Sequence, residues 1–473
     1  MINNHLLQHI VLASAMTLAL SSCSLEPKYE QPSAPVPGQY PGEQGKNGNV
    51  QKVVDIGWKS YFIDPAMQQL IGIALANNRD LRISALNVEK AAAQFRIQRS
   101  QLYPALDINS SLTGQHLPKG LYQTQTSGPV TYHDNSANVG ISSWEIDFFG
   151  RLRSLKHQAL ETYLAQVATQ RSERISLVAE VAEGYMTLAA DNSLLDLAQK
   201  TYNSQLSTLR LEQLSLQHGN TNAQNVAQTE MTVQSAAVDI AQYQRQVADD
   251  INALQLLLGA PIPHAIIGNA KLENVAAFRE LPAGLPSDLL TQRPDIIAAE
   301  ETLKAANANI GVARAAFFPS ISLTATAGTE SGSLGNLFAG HQGAWTFEPS
   351  LNLPIFDWGY NQANLDVAKI EKRSDIASYE KTIQTAFREV ADALAARSTY
   401  ADELKAREEN QSASQRNFDL ATLRYHQGED SSLDVLVAQR SLYSAQQTML
   451  STRLSALNQQ ITLYKTLGGG WKE

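Results

Sequence analysis

The sequence predicts a mainly helical protein with a few membrane-type β-strands, made from one unit used twice: a helix, two strands, then two very long helices. Three observations carry this. The chain repeats itself, long stretches lack glycine and proline, and four short segments alternate apolar with polar residues.

The duplication comes first, because a fixed internal offset governs every other assignment. Asp80 stands 24 residues before Pro104, and Asp295 stands 24 residues before Pro319, an offset of 215. Asp147-Phe148-Phe149-Gly150 answers Phe356-Asp357-Trp358-Gly359 at an offset of 209, which also carries Glu180, Gly219, Val226 and Gly259 onto Glu389, Gly428, Val435 and Gly468. The six-residue slip falls between Pro104 and Gly150, where a surface loop absorbs it. Repeat 1 is thus expected over 61–259 and repeat 2 over 285–468, with a linker at 260–284 and a tail at 469–473.

Ahead of the repeats, residues 1–22 read as a lipoprotein signal peptide. The apolar run Ile10–Leu20 is too short to span a bilayer and suits a signal-peptide core. Leu20-Ser21-Ser22-Cys23 looks like a bacterial lipobox, whose cysteine takes a diacylglycerol and an acyl chain. Ser24 follows it, rather than the aspartate that hints at inner-membrane retention, so the outer membrane is favoured. The segment before the apolar run lacks lysine and arginine, and an ordinary secretory signal with an incidental cysteine is the alternative. Residues 23–60, rich in proline and glycine, read as an extended strap.

Within the repeats, strands are expected near 104–114, 136–148, 319–328 and 344–355. Trp345, Phe347, Pro349, Leu351 and Leu353 alternate with polar residues, as do Ile321, Leu323, Ala325 and Ala327. Near Trp144 the alternation changes phase, which suggests a bulge. The lengths suit outer-membrane β-strands, and aromatics at their ends suit the interfacial girdle. Four strands cannot close a barrel and open edges are not tolerated in lipid, so the chain is expected to oligomerise; three copies, as a homotrimer, would give twelve strands, an even number in the range of known barrels.

The helices follow from what is missing. Between Gly359 and Gly428 about 68 residues run without glycine or proline, about 100 Å of helix at 1.5 Å per residue. Apolar residues keep a seven-residue period at Val226, Val233, Ile240, Val247 and Leu254, and again at Leu436, Tyr443, Leu450, Leu457 and Tyr464. That is coiled-coil spacing, and an ordinary long coiled coil is the competing reading of these segments alone. Gly219 and Gly428 are expected to turn one long helix back on the next.

Composition narrows the function classes. A net charge of −9 without a basic cluster argues against a nucleic-acid partner. One cysteine and nine scattered histidines offer neither an internal disulfide nor a metal site, so no cofactor is expected beyond the lipid on Cys23. No Walker A motif or nucleophile elbow suggests an enzyme.

The motifs Ser143-Trp-Glu-Ile-Asp-Phe-Phe-Gly-Arg151, Leu285-Pro-Ser-Asp-Leu-Leu-Thr-Gln-Arg-Pro-Asp295, Ala313-Arg-Ala-Ala-Phe-Phe-Pro-Ser-Ile321, Leu353-Pro-Ile-Phe-Asp-Trp-Gly359 and Tyr464-Lys-Thr-Leu-Gly-Gly-Gly-Trp471 cover both repeats. Through them the chain resembles the TolC/OprM family of outer-membrane efflux factors, in particular its lipoprotein branch. The resemblance implies a trimer with a twelve-stranded barrel above a twelve-helix periplasmic tunnel. It also implies docking of a periplasmic adaptor (membrane fusion protein) at the turns of Gly219 and Gly428, and an inner-membrane pump of the resistance-nodulation-division class. Such a protein would be a passive conduit for drugs and other small toxic compounds. An exit duct for type I protein secretion uses the same fold and is the alternative; a periplasmic coiled-coil adaptor is more remote.

The resemblance further implies a periplasmic gate. The family's carboxylates six and nine residues after the second turn glycine correspond to Asp434 and Val437, so one acidic ring is expected and the other is replaced by an apolar one. Leu433, Tyr425 and Arg440 are assigned to the same gate, with Asn225 the first-repeat equivalent of Asp434. Asp430 stands where some members carry a locking arginine. A second role is open for Asp434: Ser431-x-x-Asp434 also reads as a helix capping box.

Overall fold

The computed structural model describes residues 24–38, 40, 53–118, 130–276, 278–281 and 292–472. Cys23, the signal peptide and the start of the Leu285–Asp295 motif lie outside the described residues. In chain order the elements are α1 (Trp58–Tyr61), α2 (Pro65–Asn77), α3 (Arg79–Ser100), β1 (Asp107–Leu117), β2 (Val130–Glu145), α4 (Arg151–Gln217), α5 (Ala223–Leu258), α6 (His264–Asn269), α7 (Pro294–Ala315), β3 (Ser320–Ser331), β4 (Gly343–Asn352), α8 (Tyr360–Gln427) and α9 (Ser432–Thr466). α4 and α8 run for 67 and 68 residues. The chain divides into two compact units, one of residues 24–33, 88–166 and 298–379, the other of 34–87, 167–297 and 380–472.

The first unit holds a four-stranded antiparallel sheet in the order β1-β2-β3-β4. Its register aligns Ile108 with Val139, Val139 with Ala327 and Ala327 with Trp345. Because side chains alternate along a strand, this row lies on one face. The apolar residues are left bare: Ile108 is 85% and Trp345 78% exposed. The phase change at Trp144 is a bulge. Ile141 pairs with Ala325 and Trp144 with Leu323, so Ser142 and Ser143 together oppose Thr324. Ser143 takes a φ of 56° there, and the extra residue returns Trp144 to the apolar face. β2 ends at Glu145, so Phe148 and Phe149 belong to the turn into α4, where Phe149 stacks on Phe318 at 4.8 Å.

The second unit holds both helical hairpins from residue 167 of α4 and residue 380 of α8 onward, together with α5, α9 and a belt of shorter segments. The described residues of the later strap, the linker and the tail are packed here. Tyr61 stacks on Tyr464 at 4.0 Å, and Phe278 meets Tyr61 and Phe62 at 5.6 and 5.5 Å. Tyr40 stacks on Phe387 at 4.8 Å, and the Trp58 amide donates to the Lys472 carbonyl at 3.1 Å. The linker carries α6 and buries Ile262, Ile266, Ala270 and Leu272. Each fully buried large side chain contributes roughly 1.5–3 kcal/mol, so these segments are part of the core. Single aromatics among prolines and glycines have no period, so sequence alone does not reveal their burial.

The Arg293-Pro294-Asp295 motif has a structural use. Pro294 opens α7, as suits a residue whose missing N–H is not needed there. Arg293, buried, bonds Asp295 at 2.7 and 3.0 Å, Glu389 at 3.0 Å and the Thr466 carbonyl at 2.9 Å. One guanidinium fork thus ties the start of α7 to α8 and to the end of α9. Among the described residues, no helix is long and apolar enough to cross a membrane.

Candidate gate at the hairpin turns

Both hairpins end in the same backbone solution. A helix leaves its last carbonyls without partners, and a glycine in the left-handed region lets the next two amides reach back to them. Gly219 and Gly428 both have φ of 77°. At the first turn the Gly219 amide donates to Leu216 at 3.0 Å and the Asn220 amide to Ser215 at 2.9 Å. At the second the Gly428 amide donates to Tyr425 and the Glu429 amide to Arg424, both at 3.0 Å. An added Cβ would meet nothing within 4 Å at either glycine, so backbone conformation alone selects glycine there.

The helices that return start on different caps. Asn222 caps α5, its side chain accepting from the Asn225 amide at 3.0 Å. The Asn225 side chain donates to the Thr221 hydroxyl at 3.1 Å. Ser431 caps α9, and the Asp434 carboxylate accepts from the Ser431 amide at 3.1 Å and hydroxyl at 2.7 Å. Those hydrogen bonds, with help from Arg424, hold the Asp434 carboxyl below the usual carboxylate range. Within one chain, then, Asp434 is an ionised capping residue. Repulsion in a ring of three copies would push its pKa the other way.

Leu433 and Val437 are 44% and 45% exposed on the first turns of α9, four residues apart and so on one face. Arg440, exposed on the same helix, lines a shallow groove of about 580 Å³ with Arg407, Asn410, Ser414 and Ser444. The ion pair at the second turn uses different residues. Arg424 grips Asp430 through two hydrogen bonds of 2.8 and 2.9 Å, and its third nitrogen stands 3.8 Å from Glu429. Asp430, in the place of an arginine, therefore anchors a local pair.

Tyr425 also points to a residue that the sequence reading passed over. Its hydroxyl lies 3.3 Å from Glu212 on α4, so it bridges the two hairpins. Burial, then the Glu212 charge, pushes the Tyr425 pKa up. Glu212 is 3% exposed, and its second oxygen has no hydrogen-bond donor among the described residues. Glu212 stands seven residues before Gly219, a heptad spacing that was there to be used. Arg424 is the position just before Tyr425, in the last turn of its helix, where a cation complements the helix dipole.

The profile of the outer membrane efflux protein family matches this chain twice, over residues 70–260 and 285–469, once on each repeat. The chain belongs to that family. Among its relatives, the toluene efflux pump outer membrane protein TtgC of Pseudomonas putida is 48% identical over 469 residues, covering 98% of this chain and 96% of that one. The cation efflux system protein CusC of Escherichia coli is 39% identical over 467 residues, with 98% and 99% covered. Among solved structures, the open state of the Neisseria gonorrhoeae MtrE outer membrane channel superposes with a TM-score of 0.86 at 38% identity, covering 95% of this chain and 99% of that one. As an outer membrane efflux protein the chain has a use for its bare apolar sheet face: lipid is the solvent that face requires.

Proposed function

We propose that this protein is the outer-membrane exit duct of a tripartite efflux assembly, a passive conduit that catalyses nothing. The observation that carries the proposal is the sheet. It has four strands, one exposed apolar face and two outer strands, β1 and β4, each paired on one side only. Three copies would join β1 to β4 and close a barrel of twelve strands, leaving no edge in lipid. Cys23 would add a diacylglycerol and an acyl chain as a second attachment to the outer membrane.

The helical hairpins would extend into the periplasm, with the turns at Gly219 and Gly428 as the docking surface for a periplasmic adaptor. That adaptor would connect the duct to an inner-membrane pump of the resistance-nodulation-division class. Asp434, Leu433, Val437, Tyr425 and Arg440, with Asn225, would form the gate, an acidic ring backed by an apolar one, so that closure draws partly on dewetting. Relatives named for toluene and for cations align with nearly the whole chain, which supports a duct whose cargo is chosen by the pump.

Deleting the gene and measuring accumulation of several unrelated dyes and antibiotics tests this. Broad accumulation reversed by the wild-type gene on a plasmid is the expected result. Normal accumulation, with one protein missing from the medium, would instead indicate type I secretion.

A further inference from the structure

In the first unit the described chain begins at Ser24, and the segment that follows lies against α4, α7 and α8 through its backbone carbonyls and its side chains. Arg314 donates to the Leu25 carbonyl at 3.0 Å and Asn307 to the Pro27 carbonyl at 2.8 Å. Gln31 donates to Glu300 at 3.3 Å and to the Tyr379 hydroxyl at 3.0 Å, while Lys304 stands 5.6 Å over the Tyr29 ring. In none of these contacts does a charged group of the strap take part. The centre of the attachment is different: His157 of α4 lies between two carboxylates, its Nδ1 2.9 Å from Glu26 of the strap and its Nε2 3.0 Å from Glu161 one turn along.

Both ring nitrogens facing carboxylate oxygens is an arrangement for imidazolium, since only the cation donates from both. A neutral ring turns one lone pair onto an oxygen. Glu161 is buried, and its neighbour Glu301 has an inner oxygen that is buried without a donor among the described residues. Two carboxyls in that position are satisfied by one proton held between them. The other charges facing the cluster are Lys156 on α4 and Glu300 and Lys304 on α7, with Lys304 3.0 Å from Glu301 and 3.3 Å from Glu300. From α8, Glu371 and Lys372 reach Asn309 and Asn307.

We propose that Glu26, His157, Glu161 and Glu301 form a protonation-controlled clasp that fastens the N-terminal strap across both repeats and releases it as the pH rises. The clasp binds α4 of repeat 1 through Glu26, and α7 and α8 of repeat 2 through Tyr29 and Gln31. Glu26 is three residues beyond Cys23, so the clasp also sets where the proposed lipid anchor leaves the protein.

The pH window follows from the directions. The hydrogen bond to Glu26 raises the His157 pKa, so its contribution is complete below the ordinary histidine range and is lost as pH climbs through the raised value. Burial pushes Glu26 up, but its bonds to His157 and Ser154 and the charges of His157 and Lys156 together outweigh this and hold it below the usual range, so its contribution fades only in acid. Burial, then the neighbouring Glu301, lifts Glu161 to about 7, so its deprotonation near neutrality adds a negative charge to the cluster. The clasp is therefore closed in weak acid and opens on the alkaline side.

Packing supplies a second, pH-independent way to open it. Gly311 faces the strap from α7, and a Cβ there would come 2.6 Å from Glu26 Cγ and 2.6 Å from Ser154 Oγ. Alanine suits the interior of a helix better than glycine, so Gly311→Ala should expel the strap and leave α7 intact.

The test is a nitroxide label on Lys28→Cys, an exposed strap position, in the full-length protein purified from outer membranes, corrected for label taken up by the parent chain. The label is expected to be immobilised near pH 6 and mobile near pH 9, the ratio of free to docked strap rising by at most about tenfold per pH unit. In Gly311→Ala it is expected to be mobile at both. His157→Gln is expected to remove the alkaline opening, leaving only the smaller change near neutrality that Glu161 makes, and Glu26→Gln reads the same outcome should that variant fail to assemble. A parent spectrum that does not change with pH, or a His157→Gln profile that matches the parent, would overturn the clasp.

Discussion

The two hairpin turns have nearly the same backbone and almost opposite chemistry. Each is closed by a glycine at φ of 77° and by the same pair of amide-to-carbonyl bonds, at equivalent positions of the two repeats. Yet residues 214–226 carry no aspartate, glutamate, lysine or arginine, whereas 423–435 contain Arg424, Glu429, Asp430 and Asp434. The duplicated unit kept what the helix ends require and let the side chains diverge. Within these thirteen positions, charged residues occur only at the second turn. The first presents a neutral surface of amides and hydroxyls.

This comparison can be broken from the backbone side first. Gly219→Val and Gly428→Val should each destabilise their own turn by roughly 1–2 kcal/mol, the conformational penalty of a left-handed residue with a side chain. Because open space surrounds both glycines, the two effects should be equal. Faster amide exchange confined to one turn, at matching rates in the two variants, is the readout. Unequal effects would mean that the turns differ in backbone as well as in charge.

The caps provide a finer test. Asn222→Ala should loosen the start of α5 by about 1 kcal/mol, and Ser431→Ala should loosen α9 by the same order. The second variant, unlike the first, also frees a carboxylate. Removing the Ser431 hydroxyl takes away the shorter of the two hydrogen bonds that hold Asp434 ionised, so the Asp434 pKa should rise towards its ordinary value in NMR titration. An unchanged pKa would show that the cap is not what sets it.

Most of the architecture was legible because its signals are periodic or repeated. The offset of 209 paired the two turns and the two long helices, and alternation marked four strands, including the phase change that proved to be a bulge. The packed belt around Tyr61, Phe278 and Tyr464 was not legible, since its residues come from segments far apart in sequence with no common period. At the turns, the glycines and the capping serine were visible from spacing. Glu212 and Arg424 were not singled out, because partners across a hairpin or around a turn appear only once the chain has folded. The same holds for His157, which on sequence is one of nine scattered histidines.

The central claim is that the second hairpin turn gates a duct, with an acidic ring at Asp434 and an apolar ring at Val437. Planar-bilayer recording of wild-type protein and Val437→Asp tests it most directly. The account predicts that the charged variant, by wetting the constriction, opens more often and at lower applied voltage than wild type. Unchanged conductance and opening frequency in Val437→Asp would contradict it.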